Sequence, residues 1–251
     1  TELSLAGLQN KLLLVATERG WGRPVGGQPS THILKIDDQR FPGLVSAEAA
    51  ALRLARGLGL GDLDPQLHQI EGVDCLIVAR YDRLRAADGT IGRVHQEDSC
   101  QALGVMPDAH RGRGKYESSG GPTFAQIASL LRRYSADPGD ELDRLVRMIA
   151  FTMIIGNADG HGKNLSLLYP APGMPTLAPL YDTVPTVLWP RLRTTAAMSV
   201  AGETEFIRIG LDAITREAEG WGMPGERARS LAVDVVERAL RAASGLGHDQ
   251  V

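Results

Sequence analysis

Apolar residues fall in short runs over the first eighty or so positions, and at helical spacing over most of the rest. Residues 11–17 read as a strand, followed by a Gly/Pro-rich turn at 20–28 and a second strand at 31–36. Ser46 is expected to cap a helix that runs to about Leu58 and stops in the GLGLG stretch. Strands follow at 66–71 and 74–81. From about Arg83 the pattern predicts helices at 96–103, 123–134, 139–155, 204–219 and 225–243, interrupted by a hairpin of 165–169 with 177–181. The polar, Gly-rich stretch 107–122 (PDAHRGRGKYESSGGP) reads as a mobile loop. The expectation is an α+β chain, with a small β-rich lobe over 1–82 and a larger helical lobe over 83–251.

Composition narrows the function classes. A net charge of −3 over 251 residues argues against a nucleic-acid binder working alone, leaving DNA contact through a partner open. Cys75 and Cys100 have no metal-ligand spacing. Two lone thiols fit a reducing cytoplasm better than a secreted framework, with one disulfide left open. The longest apolar run, 148–156, is too short to span a bilayer, so no membrane role is expected. No signal-like segment opens the chain, and the missing initiator Met points to a trimmed or engineered N-terminus. Of 27 basic residues only four are lysines, Lys11, Lys35, Lys115 and Lys163. Genome bias is the plain explanation, but where Lys persists a compact ammonium can be what the site needs.

The strongest chemical signal is MIAFTMIIGNADGHGKN, residues 148–164. An all-round apolar helix end must be buried. It stops at Gly156 and delivers Asn157, Asp159, His161, Lys163 and Asn164 within eight residues. Buried polar groups need partners, so such a cluster suits the floor of an active site better than packing. Asp159 and Asn164 have the D-x-x-x-x-N spacing of a kinase catalytic loop, in which the Asp accepts the acceptor's proton and the Asn binds metal. By itself that spacing is common. Asn164 precedes the first hairpin strand and Asp182 follows the second, so antiparallel pairing should bring together an amide oxygen and a carboxylate, both hard ligands for magnesium. The competing reading of Asp182 is a turn or cap residue. In the small lobe, Lys35 ends a strand and Glu48 lies on the inward face of the next helix, where it needs a cation. The alternative is a solvated Glu at a helix N-terminus. SLAGLQNK, residues 4–11, matches no phosphate-binding Gly pattern and reads as a plain loop.

SLAGLQNK, THILK, ARYDR, HQEDSCQALG, KYESSGGP, GNADGHGKN and LAPLYD occur in an order that resembles the HipA-type kinases, over about four-fifths of the chain. The resemblance implies a bilobal protein-kinase-like fold and a serine/threonine kinase toxin from a toxin–antitoxin pair, dependent on ATP and Mg2+. It implies that Ala6, Gly7, Leu8, Gln9, Asn10 and Lys11 form the ATP-phosphate loop and that Ser4 is a regulatory autophosphorylation site. It places Lys35, partnered by Glu48, on the phosphates and Ala79, Arg80 and Tyr81 on the adenine side. Asp159 becomes the base, His161 and Lys163 line the transfer site, and Asn164 and Asp182 hold magnesium. Implied partners are a DNA-binding antitoxin, through which alone DNA is reached, and a protein substrate such as an aminoacyl-tRNA synthetase.

Members of that family carry a further N-terminal subdomain before the phosphate loop, whereas only three residues precede Ser4 here. The expectation is a fragment, or a separate small chain that supplies the missing piece. Two other readings stand beside the kinase toxin. One is a small-molecule or lipid kinase, distinguished by its acceptor. The other is a catalytically silent module that holds nucleotide or antitoxin. The remaining histidines, His32, His68, His95, His110 and His248, show no metal spacing and are read as surface or satisfied residues.

Overall fold

The computed structural model describes residues 10–18, 20–170 and 174–245. The first part is a five-stranded antiparallel sheet with one helix on its face. Its elements are β1 (Lys11–Thr17), β2 (Gly20–Gly22), β3 (His32–Ile36), α1 (Leu44–Gly57), β4 (Gln66–Ile70) and β5 (Val73–Ala79), with strand order β2-β1-β3-β5-β4. Val45, Ala49 and Leu52 of α1 close on Leu76 and Val78 of β5. On the opposite face Leu14, Leu34, Cys75 and Ile77 cluster, as the period-two alternation of strands requires. The register sets Lys11 directly opposite Lys35. Helix α1 starts two residues before Ser46, which lies exposed inside it. The capping oxygens come instead from Asp37, whose carboxylate accepts the N–H groups of Gly43 (2.8 Å) and Val45 (3.1 Å).

The rest holds more strand than the helical spacing foretold. A hairpin of β6 (Arg83–Arg85) and β7 (Ile91–Arg93) leads to β8 (His95–Asp98), then α2 (Ser99–Ala102), α3 (Ala109–Gly112), α4 (Phe124–Tyr134) and α5 (Pro138–Ile154). After these come β9 (Ser166–Tyr169), β10 (Thr176–Leu177), β11 (Thr195–Val200), β12 (Glu203–Glu205), α6 (Leu211–Gly220) and α7 (Gly225–Gly245). The helix expected at 96–103 is therefore a strand followed by a single turn. Asp98 and Gln101 form a reciprocal capping box that starts the helix at Ser99, while 95–98 pair with β9. The helix expected at 204–219 begins at Leu211, because β12 and a 3-10 turn use the residues before Gly210. The second arm of the hairpin shrinks to Thr176–Leu177, in register with Leu168 and Leu167.

Helix α5 organises this larger part. Asp137 caps it through the Asp140 N–H at 3.0 Å, Pro138 opens it, and its last turns bury Met148, Ile149, Ala150 and Phe151. Helices α4, α6 and α7 pack around it, and among the described residues this is the largest apolar cluster. Phe151 is fully buried there, so Phe151→Ala should cost about 3–5 kcal/mol. A urea melt followed by far-UV circular dichroism measures it, and a loss below about 1 kcal/mol would contradict the central place given to α5.

Candidate active site

The site is assembled at three places where chain segments meet. The first is the sheet edge of the small part. The cross-strand pairing of Lys11 and Lys35 sets two ammonium groups side by side, which is unfavourable unless anions separate them. Glu48 from α1 and Asp182, after the β9–β10 hairpin, supply those anions. Lys35 Nζ donates to Glu48 Oε1 and to Asp182 Oδ1, while Lys11 Nζ donates to both Asp182 oxygens at 3.0 Å. The side chains of Lys35 and Glu48 are 6% and 1% exposed, Asp182 32% and Lys11 42%. Burial alone would discharge Lys35, but Asp182 and Glu48 outweigh it and raise its pKa well above the ordinary lysine range. Asp182 shows the converse. Burial would raise its carboxyl, and Lys35 with Lys11 hold it far below the usual carboxylate range. Burial keeps the Glu48 carboxyl above its ordinary value despite Lys35, consistent with an Oε2 that has no hydrogen-bond partner.

Around this cluster opens a cleft of about 190 Å³ whose lining includes Lys11, Lys35, Glu48, Ala79, Arg80, Tyr81 and Asp182. Seven residues singled out from sequence thus share one cavity. Ile33, Leu52, Leu63, Val78 and Tyr181 add its apolar walls. Asn10 is described and its carbonyl accepts the Ile36 N–H at 3.1 Å. Ser4, Ala6, Gly7, Leu8 and Gln9 lie outside the described residues.

The second place is the loop after α5. Gly156 takes φ +70°, its N–H bonds Met153 O at 3.1 Å, and the Asn157 N–H bonds Thr152 O at 3.1 Å. This doubled bond is a Schellman end, which turns the chain sharply. Asn157 Oδ1 accepts the Asp159 N–H at 3.2 Å, and Asn164 Oδ1 accepts the His161 N–H at 3.2 Å, so the loop stabilises its own curvature. Asn164 does not line the main cleft. It shares a smaller cavity with Asn157, Gly160, Tyr181 and Thr183, the last two flanking Asp182. Asp182 itself has φ +46°, a conformation strained for a side-chain-bearing residue and tolerated best by Asn and Asp.

The third place is the stretch expected to be a mobile loop. Residues 108–113 lie exposed, but the second half packs tightly. Lys115 and Tyr116 are buried, the Gly162 N–H donates to Lys115 O at 3.1 Å, and Tyr116 OH donates to Asp159 Oδ1 at 2.6 Å. Glu117 accepts the Ser199 N–H at 2.7 Å and the Ser199 hydroxyl at 2.6 Å. Close approach requires glycine here, since a Cβ on Gly162 would stand 2.5 Å from the Pro122 ring. His161 lies edge-on to Tyr116, 5.3 Å between ring centres, 3% exposed, with neither ring nitrogen hydrogen-bonded. Burial, then Lys115, push its pKa down to about 3. Lys163 is turned away from Asp159 in its ion pair with Asp98, at 2.9 Å.

Tyr116, Asp98 and Tyr181 escaped the sequence reading. For Tyr116 a signal existed, as the one Phe, Trp or Tyr in a polar, Gly-rich stretch. Asp98 could have been found through its box with Gln101.

A family model described as the HipA-like C-terminal domain matches residues 3–243. A protein named putative kinase Y4mE, from Sinorhizobium fredii, is 44% identical over 230 residues, covering 90% of this chain and 53% of its own length. The serine/threonine-protein kinase toxin HipA of Shewanella oneidensis is 30% identical over 247 residues, 95% of this chain and 55% of its own. The chain thus spans just over half the length of these relatives. The structure of Shewanella oneidensis HipA, in complex with HipB and operator DNA, superposes with a TM-score of 0.86 at 27% identity, over 97% of this chain and 58% of that one. The Helicobacter pylori proinflammatory kinase CtkA shares the fold at 12% identity, TM-score 0.51, over 95% and 98% of the two chains.

The charge cluster makes a stability prediction. Lys35→Met leaves Glu48 buried without its cation and should cost about 3–5 kcal/mol in chemical denaturation. Lys35→Met with Glu48→Leu should recover most of that loss. A double variant no better than the single one would mean that the two side chains are not coupled.

Proposed function

The chain belongs to the HipA-like C-terminal domain family, with the mixed helix-and-sheet fold of HipA and of a kinase, and from that premise we propose that it is a protein serine/threonine kinase. In this reading it transfers the γ-phosphoryl group of ATP, with Mg2+, to a protein hydroxyl. It acts as the toxin of a toxin–antitoxin pair in the cytoplasm. Among the described residues no helix is long and apolar enough to cross a membrane.

The observation that carries the reading is the cleft in which Lys35 is held between Glu48 and Asp182, from two distant parts of the chain. The lobe boundary is placed after Asp82, so that Ala79, Arg80 and Tyr81 border the adenine side. Lys35 and Lys11, with Asn10 and residues 6–9, engage phosphates. Asp182 and Asn164 offer hard oxygens for magnesium, and among the described residues no cluster of three His, Cys, Asp or Glu could hold a metal alone. That donor set suits Mg2+, which takes one or two protein oxygens and completes its shell with phosphates and water. When bound, Mg-ATP supplies the transferable phosphoryl group and the charge that shields it. Asp159, oriented by Tyr116, receives the proton of the acceptor hydroxyl. His161 is the proposed neighbour on the transfer site, and Lys163 joins it only on leaving its ion pair with Asp98. Ser4 is the proposed autophosphorylation site. A DNA-binding antitoxin, a chain or segment completing the N-terminal side, and a translation component as substrate are the proposed partners. The structure of Shewanella oneidensis HipA with HipB and operator DNA supports the antitoxin.

Incubating the chain with Mg-ATP and following protein mass and radiolabel tests the reading. Asp159→Asn should lower phosphoryl transfer by about 10²–10⁴-fold. Label on a small alcohol alone would replace a protein acceptor by a small-molecule one, and transfer undiminished in Asp159→Asn would remove Asp159 as the base.

A further inference from the structure

Three of the four lysines have carboxylate partners: Lys11 with Asp182, Lys35 with Glu48 and Asp182, and Lys163 with Asp98. Lys115 differs. The residue is 8% exposed, its ammonium lies over the Tyr116 ring at 5.3 Å from the centroid, and among the described residues it makes no side-chain hydrogen bond or ion pair. A buried cation without an anion is costly, as is a buried imidazole with both nitrogens unsatisfied, and His161 is that second group. The two are neighbours. Tyr116 touches both. Burial and then the Lys115 charge disfavour a protonated His161, whereas burial disfavours the Lys115 ammonium and the Asp159 carboxylate acts in its favour.

Neither group reaches this position by slack in the chain. The segment is fixed through Lys115 O to the Gly162 N–H, through Tyr116 OH to Asp159, through Glu117 to Ser199, and by Arg193 at 5.2 Å from the Tyr116 ring centre. A rigid scaffold thus presents an ammonium and an imidazole beside the proposed base, both without a hydrogen-bond partner among the described residues. A phosphoryl group, with oxygens on several sides, would satisfy both at once.

We propose that Lys115 is the cation that binds the phosphoryl group in transit between nucleotide and acceptor, with His161 hydrogen-bonding the same oxygens. The inference rests on the kinase reading. In the step it serves, the acceptor oxygen forms a bond to the γ-phosphorus of a nucleoside triphosphate. The bond from that phosphorus to the β–γ bridging oxygen breaks, and the nucleoside diphosphate leaves with its electron pair. The acceptor proton passes to the Asp159 carboxylate. Charge accumulates on the phosphoryl oxygens during transfer, where a fixed ammonium stabilises it more than in the ground state.

The test compares the full chain with Lys115→Met and Lys115→Arg, for kcat, for affinity toward a fluorescent ATP analogue, for inorganic phosphate binding by titration, and for Tm. Lys115→Met should lose about 100-fold or more in kcat. Its nucleotide affinity should stay at the parent value, because the cleft around Lys35 is untouched. Phosphate affinity should fall about tenfold. Its Tm should rise, since an unpaired buried charge has been removed. Lys115→Arg should recover part of the rate. Parent-like kcat in Lys115→Met, or kcat and nucleotide affinity falling together, overturns the inference and leaves the kinase reading standing. A lower Tm marks the lysine as a structural strut and also overturns it. If the parent chain transfers phosphate to no acceptor, the kinase reading falls by itself, and the phosphate titration decides. Weakened phosphate binding in Lys115→Met upholds the anion seat, and unchanged binding removes it.

Discussion

Burying one ammonium group, that of Lys35, sets conditions on most of the small part of the molecule and on one loop of the large part. A charge 6% exposed persists only if opposite charge reaches it, and two carboxylates from positions 48 and 182 do so. Glu48 arrives because α1 packs its Val45–Ala49–Leu52 stripe onto β5, which turns the intervening position toward the sheet edge. Asp182 arrives because the β9–β10 hairpin ends beneath that edge. Its left-handed backbone is the local strain accepted for that placement. Lys11 then balances the second carboxylate. Lys11, Lys35 and Arg80 against Glu48, Asp82 and Asp182 leave the cleft nearly neutral, so the proposed polyphosphate would exchange with internal carboxylates rather than enter an open field of positive charge.

The loop after α5 is held by a different kind of force. Helix α5 is fastened by its apolar surface, and the Schellman end at Gly156 redirects the chain at once into residues 157–164. Asn157 and Asn164 accept N–H groups of the loop itself, and Tyr116 reaches across to Asp159 from a segment of low apolar content. Rigid packing on one side and hydrogen bonds on the other keep Asp159 in a fixed attitude, as the proposed role of proton acceptor would require.

Much of this was legible in the residues. The strand at 11–17 has the observed bounds, α4, α5 and α7 lie within two residues of their expected limits, and Lys35 could be matched with Glu48 from helical spacing alone. The failures share a cause. Asp37 caps α1 from six and eight residues away, β8 is a strand only because β9 lies beside it, and 115–117 is held by contacts with residues 159, 162 and 199. Each depends on a partner distant in sequence, to which local periodicity is blind. The loop was misread because glycine signals freedom in composition, whereas at Gly114 and Gly121 it signals close approach, to Met106 O and to the Tyr116 backbone.

The distribution of lysine carries a consequence for covalent chemistry. Twenty-three of the 27 basic residues are arginines, which do not acylate under mild conditions, and the four primary side-chain amines all lie at or beside the cleft and its loop. Amine-directed acetylation or an electrophilic tag therefore falls at or beside that cleft or nowhere among the side chains of this chain. The protein's outer surface is, to such reagents, nearly inert.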